Sequence, residues 1–108
     1  MRLRELHDLD LSPSEAHRLQ KELAPNVVAG PALDLTGISH VAGADVSTEG
    51  DRAYATVVVL DFPGLSPVEV QGFETELSFP YVPGLLSFRE IPAVAGALEK
   101  IRTPVDAV

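Results

Sequence analysis

The sequence predicts an α/β fold in which three antiparallel strands are followed by a helix and then by the start of a fourth strand. Three apolar segments separated by short turn sequences predict the first strands: 41–46, 53–60 and 68–77. A stripe at helical spacing follows them, made of Val94, Ala97, Leu98 and Ile101. Residues 105–108 again favour a strand, and the right-handed crossover rule places it parallel to the first strand, beside it.

The composition limits the classes of protein to which the chain can belong. Its 108 residues, 45% of them hydrophobic, suit at most one small domain and are enough to bury a core. The chain has no cysteine, which excludes disulfide bonds and thiolate metal sites. No apolar run approaches the ~20 residues of a membrane span, and the N-terminus lacks the apolar segment of a secretory signal. We therefore expect a cytoplasmic protein with no membrane contact and no obligatory protein partner.

The first helix has a strong start signal. Ser12 can cap it, Pro13 suits its first turn, and Glu15 completes a capping box. We expect the helix over residues 12–24, because Pro25 cannot continue it. The residues from 26 to 39 have no clear period and are predicted to form a connecting loop.

The first predicted strand contains one carboxylate, Asp45, among small apolar residues. Aspartate is depleted in strands, and burying its charge without a partner is unfavourable. A metal ion, a basic group or backbone donors could each compensate it. From the residues alone, a structural hydrogen bond and a metal ligand are equally supported.

The second and third strands differ in pattern. Consecutive apolar residues in 53–60 predict a central strand covered on both faces. In 68–77 the apolar phase changes at Gly72, which predicts a bulge there. Three acidic residues predict the exposed face of an edge strand, and we interpret them as solvated surface and not as a second metal site: Glu69, Glu74 and Glu76.

A stiff loop follows the third strand. Two prolines, Pro80 and Pro83, bracket a tyrosine and leave it little conformational freedom. From the residues alone, a turn whose tyrosine packs against the core is favoured over an exposed aromatic tip. After one helical turn at 85–88, we expect the longer helix to begin at Pro92. Glu90 would then precede this helix, where the N-terminus favours negative charge.

Two motifs resemble the endonuclease V family, which cuts nucleic acid near deaminated purines. They are GADVS at 43–47 and FPYVPGLLSFRE at 79–90, and the resemblance runs from about Leu6 to the last residue. It implies a ribonuclease-H-like mixed sheet, and residues 1–108 would form the N-terminal part of this single domain. The helix at 12–24 would be followed by the sheet, a wedge loop and the second helix at 41–108. The family's third aspartate lies on the strand after the helix, and Asp106 comes too early to match it.

The resemblance also implies a function. It predicts a Mg²⁺-dependent endonuclease of DNA repair, with Mn²⁺ as a possible substitute, that cleaves the phosphodiester 3′ to deoxyinosine in DNA or inosine in RNA. Asp45 and Glu90 would be the catalytic metal ligands. A rigid wedge would enter the duplex, formed by Pro80, Tyr81, Val82 and Pro83. Gly84 and Leu86 would line the pocket for the flipped base. Without the third acid, we expect these 108 residues to cut weakly or not at all.

The net charge of −8 is unusual for a protein that binds phosphates. Bound Mg²⁺ could offset it at the cut, or the basic surface could lie in sequence outside these residues. Two alternatives to a nuclease remain open. One is a non-catalytic nucleic-acid-binding module that retains the wedge, and the other is an acidic interaction domain whose likeness to the family is accidental.

Overall fold

The computed structural model describes every residue from Met1 to Val108. Two α-helices and three strands follow one another in the predicted order. Their bounds are α1 Pro13–Leu23, β1 His40–Glu49, β2 Arg52–Asp61, β3 Pro67–Glu76 and α2 Leu86–Glu99, with a single 3-10 turn at Ala24–Asn26. Neither α-helix has both the length and the apolar character that crossing a membrane requires.

Helix α1 begins as the sequence predicts. The Ser12 hydroxyl accepts a hydrogen bond from the Glu15 amide, and the Glu15 carboxylate accepts one from the Ser12 amide. This capping box satisfies two amides that the first turn leaves without partners. The helix buries Ala16, and Leu11 and Leu19 pack nearby against the same apolar cluster. Helix α1 therefore lies against the segment that joins β3 to α2.

The sheet has the order β1-β2-β3 and is antiparallel, which confirms β2 as the central strand. The odd residues of β2 are buried under α2, from Ala53 to Val59. The even residues are more open, and Tyr54 is 37% exposed. The expectation that β2 is covered on both faces is therefore wrong for this chain. One face of the sheet carries α2, and no other element of the chain covers the opposite face.

The predicted bulge at Gly72 is wrong. Gly72 pairs in regular register with Thr56, and the irregularity lies where Val59 pairs with Glu69 and Leu60 pairs with Pro67. Val68 is thus the extra residue. Val70 points to the open face, where it is 57% exposed, and Phe73 packs on the covered face, while the pairing register between them stays regular. The apolar residues of β3 therefore lie on both faces of the sheet, although α2 covers only one of them.

Helix α2 begins at Leu86 and not at Pro92, which lies inside it. An internal proline removes one hydrogen bond and costs about 3 kcal/mol. Burial on both sides of Pro92 offsets that cost, since Phe88 precedes it in one apolar cluster and Ala93 follows it in the other. As a result, Glu90 lies past the first helical turn, where the favourable effect of the helix N-terminus on its charge has largely faded.

The segment after α2 returns beside β1. Ala107 forms a parallel bridge with Val41, and the Ala42 amide donates to the Ala107 carbonyl at 2.8 Å. The Asp106 amide donates to the His40 carbonyl at 3.0 Å. The predicted parallel placement beside the first strand is confirmed, but residues 105–108 form one isolated bridge and not the predicted strand.

Candidate functional site

The loop 80–84 is held at both ends by one apolar cluster. Phe79 before it is 5% exposed and Leu85 after it is 1% exposed, and both belong to one buried cluster with Phe88 of α2 and Ala16 of α1. The rings of Phe79 and Phe88 lie 5.8 Å apart between centroids. Because its two flanks are buried together, the loop projects from a rigid base.

The tip of the loop faces outward. Tyr81 is 72% exposed, so the interpretation in which this tyrosine packs against the core is wrong. Val82 turns inward onto the cluster, and its carbonyl accepts from the Leu85 amide at 3.0 Å. Gly84 has φ +84°, a conformation that other residues adopt only with strain. The prolines and this glycine together hold an aromatic side chain in solvent.

Arg89 ties α2 to the base of the loop. Its Nη1 donates to the Phe79 carbonyl at 2.7 Å in a partly buried position. Charged donors form stronger hydrogen bonds than neutral ones, so this contact resists displacement of the loop. Sequence reasoning assigned no role to Arg89, because a backbone carbonyl acceptor leaves no signature in the sequence.

Asp45 lies on the open face of the sheet. It stands opposite Thr56 of β2, whereas Ala42 and Val46 of β1 point to the core under α2. The Asp45 side chain is exposed, and it takes part in no hydrogen bond or ion pair within the chain. Its carboxylate is therefore free to accept an external donor or a cation.

Glu90 lies on the other side of β1. It shares a helix face with Ala93 and Ala97, which pack on the sheet, and it is half-buried. Its carboxylate forms no hydrogen bond or ion pair within the chain either. Asp45 and the face of α2 that carries Glu90 thus lie on opposite sides of the sheet, and the chain pairs the outer side of the edge strand β1 only near the Val41–Ala107 bridge. That the two carboxylates meet at one metal ion stays a prediction.

These two carboxylates have the right chemistry for a hard divalent cation. No group of three or more histidine, aspartate or glutamate side chains lies together anywhere in the chain. Mg²⁺ keeps several water ligands and is commonly held by one or two carboxylates, so two free acids fit a partly hydrated ion. They would not suit an ion that requires a complete protein cage.

Gly84 and Leu86 lie on the surface next to the loop. Leu86 is 51% exposed, and neither residue lines any of the three clefts of the chain. Gly84 and Leu86 alone therefore do not enclose a pocket for a flipped base. Their assignment to such a pocket stays a prediction.

The acidic residues of β3 divide between the two faces of the sheet. Glu74 and Glu76 are exposed and pair with Arg52, as expected for solvated surface. Glu69 is different: it is half-buried, and its carboxylate accepts from the Arg102 amide at 3.0 Å and the Thr103 amide at 2.8 Å. The Thr103 hydroxyl is the largest cause that lowers the pKa of Glu69 to about 2, followed by Gln71 and the backbone amides. The interpretation of Glu69 as solvated surface is wrong.

Comparison with known proteins identifies related chains. The family model of Endonuclease V matches residues 21–108. Endonuclease V of Dehalococcoides mccartyi is 43% identical over 110 aligned residues, which cover 100% of this chain and 48% of that protein. The chain thus spans about half the length of the curated relatives it matches.

Solved structures agree with this match. The crystal structure of Endonuclease V from Streptomyces avermitilis has a TM-score of 0.80 and 40% identity, covering 87% of this chain and 42% of that one. Endonuclease V of Ciona intestinalis, solved with a 23mer DNA containing an inosine, has a TM-score of 0.72 and 29% identity, covering 80% of this chain and 37% of that one.

An accidental likeness is excluded by these matches, so the interpretation as an unrelated acidic interaction domain is wrong. The matched residues include Asp45, the loop with its exposed tyrosine, and Glu90. The chain belongs to the Endonuclease V family.

Proposed function

We propose that the protein functions as a Mg²⁺-dependent endonuclease that cleaves the phosphodiester 3′ to deoxyinosine in DNA or inosine in RNA. The observation that carries the proposal is the family match over residues 21–108, which includes both free carboxylates and the exposed loop. The Ciona intestinalis relative, solved with inosine-containing DNA, supports nucleic acid with this base as the partner.

The loop suits the task of opening a duplex. Unstacking a base costs a few kcal/mol, and a stiff apolar insert offsets that cost by filling the gap. Tyr81 is exposed at the tip, and its base is fixed by Phe79, Leu85 and Arg89. Little conformational entropy is lost on insertion, because Pro80 and Pro83 already restrict the backbone. We assign Pro80, Tyr81, Val82 and Pro83 to the wedge.

Asp45 and Glu90 would hold the metal ion. When bound, Mg²⁺ polarises a phosphoryl oxygen and makes a bound water more acidic. The contribution of the chain is two carboxylates without internal partners, one on each side of β1. Their negative charge is compatible with an anionic substrate when the cation is present and offsets it locally.

Gly84 and Leu86 would contact the extruded base. Gly84 has no side chain and nothing within 4 Å of the position that a Cβ would occupy, so a base can approach its backbone closely. Leu86 offers an exposed apolar surface beside it. These two residues form one wall of a site, and the remaining walls would come from elsewhere in the complete family fold.

Metal binding and strand binding test the proposal separately. Mn²⁺, which serves as the paramagnetic probe, should bind the chain and lose affinity at least ~10-fold in Asp45→Asn and in Glu90→Gln, since each variant removes one charged ligand. Asp51→Asn is the control, because its exposed carboxylate has no assigned role. Binding that is unchanged in both ligand variants would contradict the metal site.

Tyr81→Ala should weaken binding to an inosine-containing strand, since base–aromatic stacking contributes ~1–3 kcal/mol. The second tyrosine of the chain offers a matched control, because Tyr54 is also exposed but lies on the sheet. Equal losses in Tyr81→Ala and Tyr54→Ala would contradict the wedge.

A binding module without catalysis is the second candidate. Two observations favour it: the tyrosine of the loop is exposed, and the chain has no group of three or more side chains that could hold a metal ion. We expect the 108-residue chain with Mg²⁺ to nick an inosine-containing strand poorly or not at all. Strand binding that needs no metal would favour the module, whereas efficient nicking would exclude it.

A further inference from the structure

Two acidic side chains outside the proposed metal site hold the segment after α2 in place. Glu69 reaches from β3 to the backbone of 102–103, and Asp106 reaches from the segment itself to the start of β1. Neither contact was anticipated from the sequence, in which Glu69 was assigned to the surface and Asp106 was given no role.

Glu69 satisfies the donors left where α2 ends. Its Oε1 accepts from the Arg102 amide at 3.0 Å, and its Oε2 accepts from the Thr103 amide at 2.8 Å and the Thr103 hydroxyl at 2.7 Å. Gln71 Nε2 donates to Oε1 at 3.0 Å and orients the carboxylate. The C-terminal end of a helix disfavours negative charge, so this many donors are needed to keep a carboxylate there.

Asp106 fixes the other end of the segment. Its Oδ2 accepts from the Ser39 amide at 2.8 Å and from the His40 amide at 3.0 Å, and its own amide donates to the His40 carbonyl at 3.0 Å. One residue therefore binds β1 through both its side chain and its backbone. Only one bridge, between Val41 and Ala107, joins the two segments otherwise.

Register matters here because β1 carries Asp45. A slip of one residue between strands turns every side chain to the opposite face. Ala107 lies beside Val41, four positions before Asp45 on the same strand, so the register at this bridge decides how the segment lies against the part of β1 that leads to Asp45. A single bridge fixes the register only weakly. The hydrogen bonds of Glu69 and Asp106 hold the segment at two further places.

We propose that Glu69 and Asp106 are positioning residues that clasp the segment 101–107 in one register beside β1, an assignment whose catalytic meaning rests on the proposed function. The clasp acts through the segment and touches neither the metal ligands nor the substrate. All contacts of the clasp lie within these 108 residues.

The absence of cysteine allows a direct test of register. The double substitution Val41→Cys with Ala107→Cys places two thiols at bridged positions, where a disulfide is geometrically accessible. In this background we compare Asp106→Ala and Glu69→Ala with the conservative variants Asp106→Asn and Glu69→Gln.

We expect intrachain oxidation to slow at least ~10-fold in the alanine variants, since each loses two or more charge-assisted hydrogen bonds. The amide variants, which keep an oxygen acceptor, should recover much of the rate. Asp51→Ala is the control, because its side chain makes no hydrogen bond.

Amide hydrogen exchange keeps the test decisive if an alanine variant is unstable. Glu69→Gln and Asp106→Asn keep an oxygen acceptor but lose its charge, so the Ala42 and Asp106 amides should exchange moderately faster while the amides of β2 keep their protection. Unchanged oxidation in both alanine variants, or equal acceleration at all amides, would overturn the clasp. Failure of the wild-type chain to bind Mn²⁺ would reject the proposed metal site and leave this result standing.

Discussion

Arg89 is the residue whose side chain secures the base of the exposed loop. Replacing it by methionine keeps the aliphatic stem and removes the donor to the Phe79 carbonyl. We expect Arg89→Met to lower the free energy of unfolding by about 1–2 kcal/mol, because a partly buried acceptor loses a charged partner. Urea unfolding measures the change.

Arg18→Met serves as the control for Arg89→Met. Arg18 is exposed on α1 and forms no ion pair or side-chain hydrogen bond, so its loss should stay within ~0.5 kcal/mol. Losses of equal size in the two variants would mean that the Arg89 contact does not stabilise the folded chain.

Glu69 predicts an acid-sensitive stability. Its pKa is lowered to about 2 in the folded chain, chiefly by the Thr103 hydroxyl. A carboxyl whose pKa is depressed on folding stabilises the protein above its unfolded pKa, and that stabilisation is lost as the pH falls through the folded value. The free energy of unfolding should therefore fall between about pH 4.5 and pH 2. Hydrogen bonds from the His40 and Ser39 amides lower the pKa of Asp106 and act in the same direction.

Glu69→Gln tests this assignment by chemical denaturation at a series of pH values. The variant should be less stable than the wild type at neutral pH and should lose less stability on acidification, because the titrating group is gone. Glu49→Gln, on an exposed strand position, should leave the pH profile unchanged. A wild-type slope retained in Glu69→Gln would show that other carboxyl groups cause the acid sensitivity.

Helix α2 lies against β3 at Gly96. A Cβ built at that position would come within 2.3 Å of the Phe73 ring, closer than any real contact. We expect Gly96→Ala to destabilise the chain by about 1–3 kcal/mol, as overpacked core substitutions do. This exceeds the gain of about 1 kcal/mol that alanine brings to a helix. Thermal unfolding measures the balance.

Gly96→Ala combined with Phe73→Leu removes the clash and is the appropriate control. The double variant should recover part of the loss, so that the two changes are not additive. Strict additivity would mean that α2 shifts away from the sheet without using the space near Phe73.

The elements differ in how far the sequence predicts them. The start of α1 depends on a local capping box, and local patterns can be recognised without the fold. The start of α2 depends on tertiary burial of Phe88 and Ala93 around a proline, and no local signal reports that burial. The phase of β3 was misjudged at Gly72 because apolar residues on an uncovered face resemble core residues.

At the scale of the whole molecule, one face of the sheet remains open. Val70 on this face is 57% exposed, whereas Val57 on the covered face is fully buried. We expect Val70→Thr to change the free energy of unfolding by less than ~0.5 kcal/mol and to reduce binding of an apolar fluorescent dye. Val57→Thr should cost about 1–3 kcal/mol, because it buries a hydroxyl. Equal costs would indicate that the Val70 face is covered in solution.

The candidate site was predictable only in part. Asp45, Glu90 and the loop lie in motifs that resemble those of the family, and the loop is exposed as a wedge requires. The supporting contacts of Arg89, Glu69 and Asp106 could not be predicted, since their partners are backbone groups distant in sequence. The face of the sheet on which Asp45 lies follows from strand register, which the sequence alone leaves undetermined.

The Asp106 contact also has a kinetic consequence. It joins residues 66 positions apart, whereas the β1–β2 hairpin closes over a short turn. Forming a long loop costs entropy before any contact is gained, so the hairpins should assemble first and the Asp106 contact should form last. A contact absent from the transition state changes the unfolding rate and hardly affects the folding rate. Weakening it would shorten the lifetime of the native chain without slowing its acquisition.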